Sequence, residues 1–207
     1  MSNILRANVS VVGLRPILWH YFGPDAIPLV KGEKTGVAGN DPEEWRRTSL
    51  ISPDGQLYVL PPYVFGTLCN GARYTKKGKG SIMTAVAATL QVVSDRILID
   101  RYFPGFPNGH AFDIKTAEPP PANAYDLPTY LDVRMVKNPV TKSRNLRYRL
   151  AACEGWRTDF EVSFDKTVVS RSELEAVTRD AGKFVGLGNG RALGYGRFDV
   201  EHFEIMT

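Results

Sequence analysis

Cysteine, histidine and long apolar runs are all scarce in this chain of 207 residues, and each scarcity removes a class of function. The two cysteines, Cys69 and Cys153, lie far apart and form no C-x-x-C pair. That argues against a disulfide framework and a structural zinc, and fits a reducing, cytoplasmic setting. The three histidines, His20, His110 and His202, are isolated, with no H-x-H or H-E-x-x-H spacing, and no two carboxylates stand out as a metal pair. The sequence therefore implies no metal and no cofactor. Neither a G-x-S-x-G serine nor a histidine-supported cysteine motif is present. The longest apolar-rich run, 85–93, is broken by Thr89 and Gln91, and no basic-then-apolar leader precedes the first strand-like segment. Neither a signal peptide nor a membrane span is expected.

Acidic residues are missing from one stretch in particular. Between Asp132 and Glu154 stand Arg134, Lys137, Lys142, Arg144, Arg147 and Arg149, with Tyr148 among them and no carboxylate. Soluble surfaces normally intersperse signs, so a one-sign hairpin with an aromatic suggests a finger laid along nucleic acid. A charged edge that only prevents sheet stacking is the other reading. A second basic cluster, Arg73, Lys76, Lys77 and Lys79, sits at the end of the first expected helix, and serves either as a solvated cap or as a phosphate contact.

With 43% apolar residues the chain can bury one good core, and its formal charge of +4 permits a polyanionic partner without demanding one. Alternation of Ala7, Val9 and Val11 with Asn8 and Ser10 predicts an opening strand. The composition of 22–56 shifts to glycine, proline and charge, with a short helix expected at 42–47. Pro61 and Pro62 open a helix carrying Val64, Phe65, Leu68 and Ala72 at helical spacing. The run 86–99 reads as a hairpin turning at Ser94-Asp95, although Ala85, Ala87 and Ala88 leave a helical start open. Proline-rich residues 102–128 read as an irregular crossing loop. Strands are expected around Leu131–Met135 and Phe160–Phe164, and Ser170 with Glu173 forms a capping box opening a helix whose buried stripe is Leu174, Val177, Ala181 and Phe184. A closing strand spans 197–205. This order is that of an α+β, ferredoxin-like (RRM-like) antiparallel sheet with both helices on one face. The chain reads as a single domain, 1–207, with insertions at about 22–56 and 102–128.

Between the last helix and the last strand, residues 182–198 hold six glycines and three cations, Lys183, Arg191 and Arg197. Clustered glycines let backbone N–H groups converge on an anion, and arginines add forked, charge-assisted hydrogen bonds. Nucleotide fingerprints are nonetheless lacking. There is no G-x-x-x-x-G-K-[ST], and Arg191 stands where G-x-G-x-x-G requires its third glycine. The loop also follows a helix instead of preceding one, so ATP and NAD do not fit. A helix cap plus a turn is the plainer use of these glycines. The run Gly194-Tyr195-Gly196-Arg197-Phe198 partly matches the aromatic strand of an RNA-recognition motif, with Tyr195 and Phe198 read either as stacking rings or as core.

A sheet of this order, a capped last helix and a glycine-rich loop ending in Gly-Tyr-Gly-Arg-Phe before the closing strand resemble the RAMP superfamily. These are the RNA-binding proteins of CRISPR systems, and the likeness is greatest to their backbone-forming subunits. The segment from Ala181 to Phe198 also looks like proteins of phages and mobile elements. The resemblance implies a subunit that polymerises along single-stranded RNA or DNA, grips phosphates with its open sheet face and glycine loop, and inserts a thumb-like hairpin, here 138–149. The expectation is a non-catalytic binder of single-stranded nucleic acid, RNA before DNA, that self-associates or joins other complex subunits. Its contacts would be Arg73, Lys76, Lys77, Lys79, Lys142, Arg144, Arg147, Lys183, Gly188, Gly190, Arg191, Tyr195 and Arg197. The alternatives are a metal-independent endoribonuclease using His20, and a phage structural or interaction protein.

Overall fold

The computed structural model of the chain describes residues 2–23, 41–106, 128–137, 142 and 144–206. His110, residues 24–40 of the first expected insertion, residues 107–127 of the second, and residues 138–141 and 143 of the expected thumb lie outside the described residues. In chain order the elements begin β1 (Ile4–Gly13), β2 (Ile17–Leu18), α1 (Glu44–Thr48), β3 (Gln56–Val59) and α2 (Pro61–Gly71). There follow β4 (Lys76–Lys77), β5 (Gly80–Ser81), α3 (Met83–Thr89), β6 (Gln91–Val92) and β7 (Ile97–Tyr102). The series closes with β8 (Thr129–Lys137), β9 (Arg144–Ala152), β10 (Arg157–Asp165), α4 (Arg171–Phe184) and β11 (Phe198–Met206). Two compact units emerge, one from Met1–Ile17, Tyr58–Asp100 and Glu154–Thr207, the other from Leu18–Leu57 and Arg101–Cys153.

The first unit is built on β1, whose Ala7, Val9 and Val11 are buried while Asn8 between them is exposed. β1 runs antiparallel to both β10 and β11, setting Ala7 opposite Val162 and Ile205, and Val9 opposite Phe160 and Phe203. The sheet order is β11-β1-β10-β7-β3, with β6 also on β10. Read through β6, this is the fourth-first-third-second order of a βαββαβ unit, with α2 after its first strand and α4 before its last. The chain is thus α+β with a ferredoxin-like antiparallel sheet. The helices meet where side chains are small: a Cβ on Gly71 would stand 2.6 Å from the Ala181 Cα. Gly182 likewise lies against the carbonyl of Phe198.

The capping box opens α4 as the sequence implies. Ser170 N–H donates to Glu173 Oε2 at 2.7 Å and Glu173 N–H donates to Ser170 Oγ at 3.3 Å. Truncation of Ser170 to alanine deprives the Glu173 N–H of its acceptor and is expected to lower stability by about 1 kcal/mol in urea titration, with an unchanged m-value. Along the helix Leu174, Val177 and Ala181 are fully buried, but Phe184 is 41% exposed, because α4 ends there and the ring passes beyond the sheet to meet Tyr74.

Two expectations are corrected. The hairpin from 86 to 99 does not form: residues 83–89 take up α3, in keeping with their alanines, and the two-residue β6 pairs with β10. The lysines after α2 are not a helix cap, since α2 ends at Gly71 and Lys76 and Lys77 lie on a separate two-stranded ribbon.

In the second unit β2, β9 and β8 form a three-stranded sheet in that order. The β8–β9 hairpin runs from Thr129 opposite Ala152 to Lys137 opposite Arg144. Leu131, Leu150, Ala151 and Ala152 bury its base, while its far half is exposed along β8 and half-buried along β9 except for the exposed Arg144. Trp45 of α1 stacks on Phe103 with ring centroids 5.1 Å apart.

Candidate functional site

Five of the residues expected to contact nucleic acid come together in the first unit. Arg73, beyond the end of α2, and Gly188, Gly190, Arg191 and Arg197, from the glycine loop, line one cavity of about 570 Å3. Three arginines line it, Arg73 with its Nε donating to Met83 Sδ at 3.2 Å, and the lining holds no carboxylate. Arg191 makes no side-chain hydrogen bond or ion pair among the described residues, and Arg197 Nη1 is buried without a hydrogen-bond partner. A buried, unpaired guanidinium N–H is costly, and an anion is its natural complement.

The loop's shape explains how these groups are held. Gly186 has φ +87° and Gly196 φ +69°, and a Cβ on Gly196 would lie 1.7 Å from the Leu187 carbonyl oxygen. These two glycines allow the loop to close on itself, with Leu187 N–H donating to Gly196 O at 2.8 Å and Thr67 Oγ1 donating to Gly186 O at 2.9 Å. They serve the turn, whereas Gly188 and Gly190 reach the cavity wall. Tyr195 is only 7% exposed and Phe198 is buried, so both rings of the Gly-Tyr-Gly-Arg-Phe run go to the core.

The sheet face opposite the buried row carries Asp159, Glu161, Asp199 and Glu204, with Arg6 paired to Glu161 and Arg157 to Glu201. Acids there oppose a phosphate backbone. Phosphate contact through the open face, as the resemblance implied, is therefore disfavoured by charge.

The other expected contacts are dispersed. Lys77 Nζ donates to Val168 O at 2.8 Å and pairs with Glu173 at 3.1 Å. Lys76 and Lys79 are exposed on and beside the ribbon, and Lys183 lies over the Phe184 ring. Lys142, Arg144 and Arg147 belong to the second unit. There Arg147 is committed to Glu44: its Nη1 donates to Oε1, where His20 Nε2 also lies 3.2 Å away, and Tyr148 N–H donates to Oε2 at 3.2 Å. Burial alone pushes the Glu44 carboxyl up, but the bonds from His20 and Tyr148 and the charge of Arg147 outweigh it and hold it below its ordinary value. His20 is thus a packed histidine with a carboxylate partner, its side chain 14% exposed. Arg149 pairs with Asp132 at 2.8 Å inside the hairpin base. Among the described residues no group of three or more His, Cys, Asp and Glu side chains is placed to hold a metal ion, and no helix is long and apolar enough to cross a membrane.

The chain shares its fold with a chain of the Type III-B Cmr-beta complex bound to cognate target RNA, solved by cryo-electron microscopy. The TM-score is 0.51 at 10% identity, over 99% of this chain and 61% of that one. This chain therefore spans about three fifths of the length of that Cmr-beta chain. A chain of a Type IV-B CRISPR complex aligns with TM-score 0.45 and 14% identity, over 98% of this chain and 90% of the other. No protein-family model and no curated protein matches the sequence.

Sequence reasoning missed the aromatic part of the cavity. Tyr63 and Tyr74 line it with Phe184, and Asn70 completes a polar corner. The available signal was Tyr74 between Arg73 and the lysines, an aromatic interleaved with cations.

Proposed function

We propose that this chain is a non-catalytic subunit that binds single-stranded nucleic acid, RNA before DNA, by its sugar–phosphate backbone, within a larger ribonucleoprotein or as a homo-oligomer. In this reading the whole chain is one RAMP-related domain with insertions. The observation that carries the reading is the acid-free cavity with Arg73, Arg191 and Arg197, one of them with a buried, unpartnered N–H. Support comes also from the fold shared with a chain of an RNA-bound assembly. The tip of the β8–β9 hairpin, with exposed Arg144 opposite exposed Lys137, offers a second basic surface. An endoribonuclease reading rests on His20, whose Nε2 faces Glu44.

The purified chain is expected to retard a labelled single-stranded oligonucleotide, with affinity falling steeply between about 50 and about 200 mM salt. Joint substitution of Arg191→Ala and Arg197→Ala removes two phosphate partners and is expected to reduce the slope of log affinity against log salt by about 2. Absence of any shift at low salt overturns the reading. An unchanged slope in the double variant moves the site away from the loop.

A further inference from the structure

The cavity holds more than an anion needs. Phosphate alone is served by guanidinium groups and backbone, yet a third kind of surface is present here: Tyr74 is 53% exposed and Phe184 41%, their ring centroids 4.9 Å apart and tilted by 40°. Both rings line the same space as Arg191 and Arg197. Large aromatics half exposed beside unpaired cations are what a base attached to a phosphate requires, since every base has a π-face and stacking is tolerant of sequence. The volume, about 570 Å3, falls within the span of roughly 300–1,000 Å3 usual for small-molecule sites. Asn70 adds a group able to meet a base edge. Its Nδ2 donates to Gly66 O at 2.7 Å, which fixes the amide and directs the carboxamide oxygen to serve as an acceptor.

We propose that this cavity captures one nucleotide of the bound strand, with its base laid on Tyr74 beside Phe184 and its phosphate held by Arg191 and Arg197. The inference rests on the nucleic-acid-binding reading above and adds to it a discrete pocket for a single unstacked base. Lys183 lies 5.4 Å from the centre of the Phe184 ring and makes that ring pair part of a cationic surround. Gly188 and Gly190, both with left-handed φ, put backbone without side chains at the cavity wall, where a ribose or phosphate needs close approach.

The test is fluorescence anisotropy of a labelled oligouridine with the full chain and with Tyr74→Leu, Tyr74→Phe and Arg191→Gln, each checked for folding by circular dichroism. Tyr74→Leu keeps an apolar side chain but removes the ring, and is expected to weaken binding by about 5- to 100-fold with an unaltered salt slope. Tyr74→Phe is expected to retain binding. Arg191→Gln is expected to reduce the salt slope by about 1. Uridine monophosphate is expected to displace the oligouridine from the wild-type chain. A salt-dependent complex that is equally tight with wild type and Tyr74→Leu overturns the pocket and leaves the functional reading standing. Failure of the wild-type chain to bind any oligouridine overturns both.

Discussion

Replacing Gly196 with alanine is expected to lower the melting temperature by roughly 10 °C, from a destabilisation of about 3–5 kcal/mol. Two effects add. At φ +69° an L-residue is strained, and its Cβ would fall 1.7 Å from the Leu187 carbonyl oxygen, which is backbone and cannot swing aside. The same residue's N–H donates to Pro16 O at 2.7 Å and its carbonyl accepts from Leu187 N–H, so displacing it opens two hydrogen bonds. Gly194, with φ +86° but nothing within 4 Å of where a Cβ would stand, provides the control: Gly194→Ala is strained without a clash and should cost about 1–2 kcal/mol. Differential scanning calorimetry of the two variants distinguishes close approach from conformational strain. Equal shifts would show that the contact between the two limbs of the loop is not what requires glycine.

Glu44→Ala is expected to destabilise the second unit by about 3–5 kcal/mol, because it leaves a guanidinium, an imidazole and a backbone N–H without their shared acceptor. Hydrogen exchange at the Tyr148 amide, which donates to Glu44 Oε2, reports the loss directly. The effect depends on pH in a defined sense. The folded carboxyl lies below its ordinary value of 4.5, so its contribution is complete above that value and fades as pH falls through the lower folded value. Wild type and Glu44→Ala should therefore converge in stability on acidification. A constant difference down to low pH would mean that the carboxylate charge plays no part in anchoring the hairpin.

The ferredoxin-like order is legible because each of its pieces carries a local signal: alternation in β1 and β10, the Ser170–Glu173 box, and a proline start for α2. The run from 86 to 99 misleads since β-branched residues and alanines overlap there, and the choice between α3 and a strand is made by packing against α2 and β10. The candidate site is half legible. Arginines and glycines of the loop stand together in sequence, whereas Tyr63, Asn70, Tyr74 and Phe184 reach the cavity only when α2 and α4 are brought into contact at Gly71 and Ala181. The fate of Arg147 is hidden for a similar reason. Its partner, Glu44, lies about a hundred residues earlier, on the short helix expected inside the glycine-, proline- and charge-rich segment 22–56, where nothing local points to the hairpin.

The acids on the bare side of the sheet have a kinetic meaning. With Asp159, Glu161, Asp199 and Glu204 on that face against Arg6 and Arg157, and three arginines lining the cavity, charge is unevenly spread over the first unit, and under the function proposed above a polyanion is expected to be oriented as it approaches. Steering of this kind acts on the encounter rate, so salt should slow association as well as weaken the complex. A charge reversal such as Glu204→Lys, a residue that does not line the cavity, would then alter how fast a strand arrives more than how long it stays.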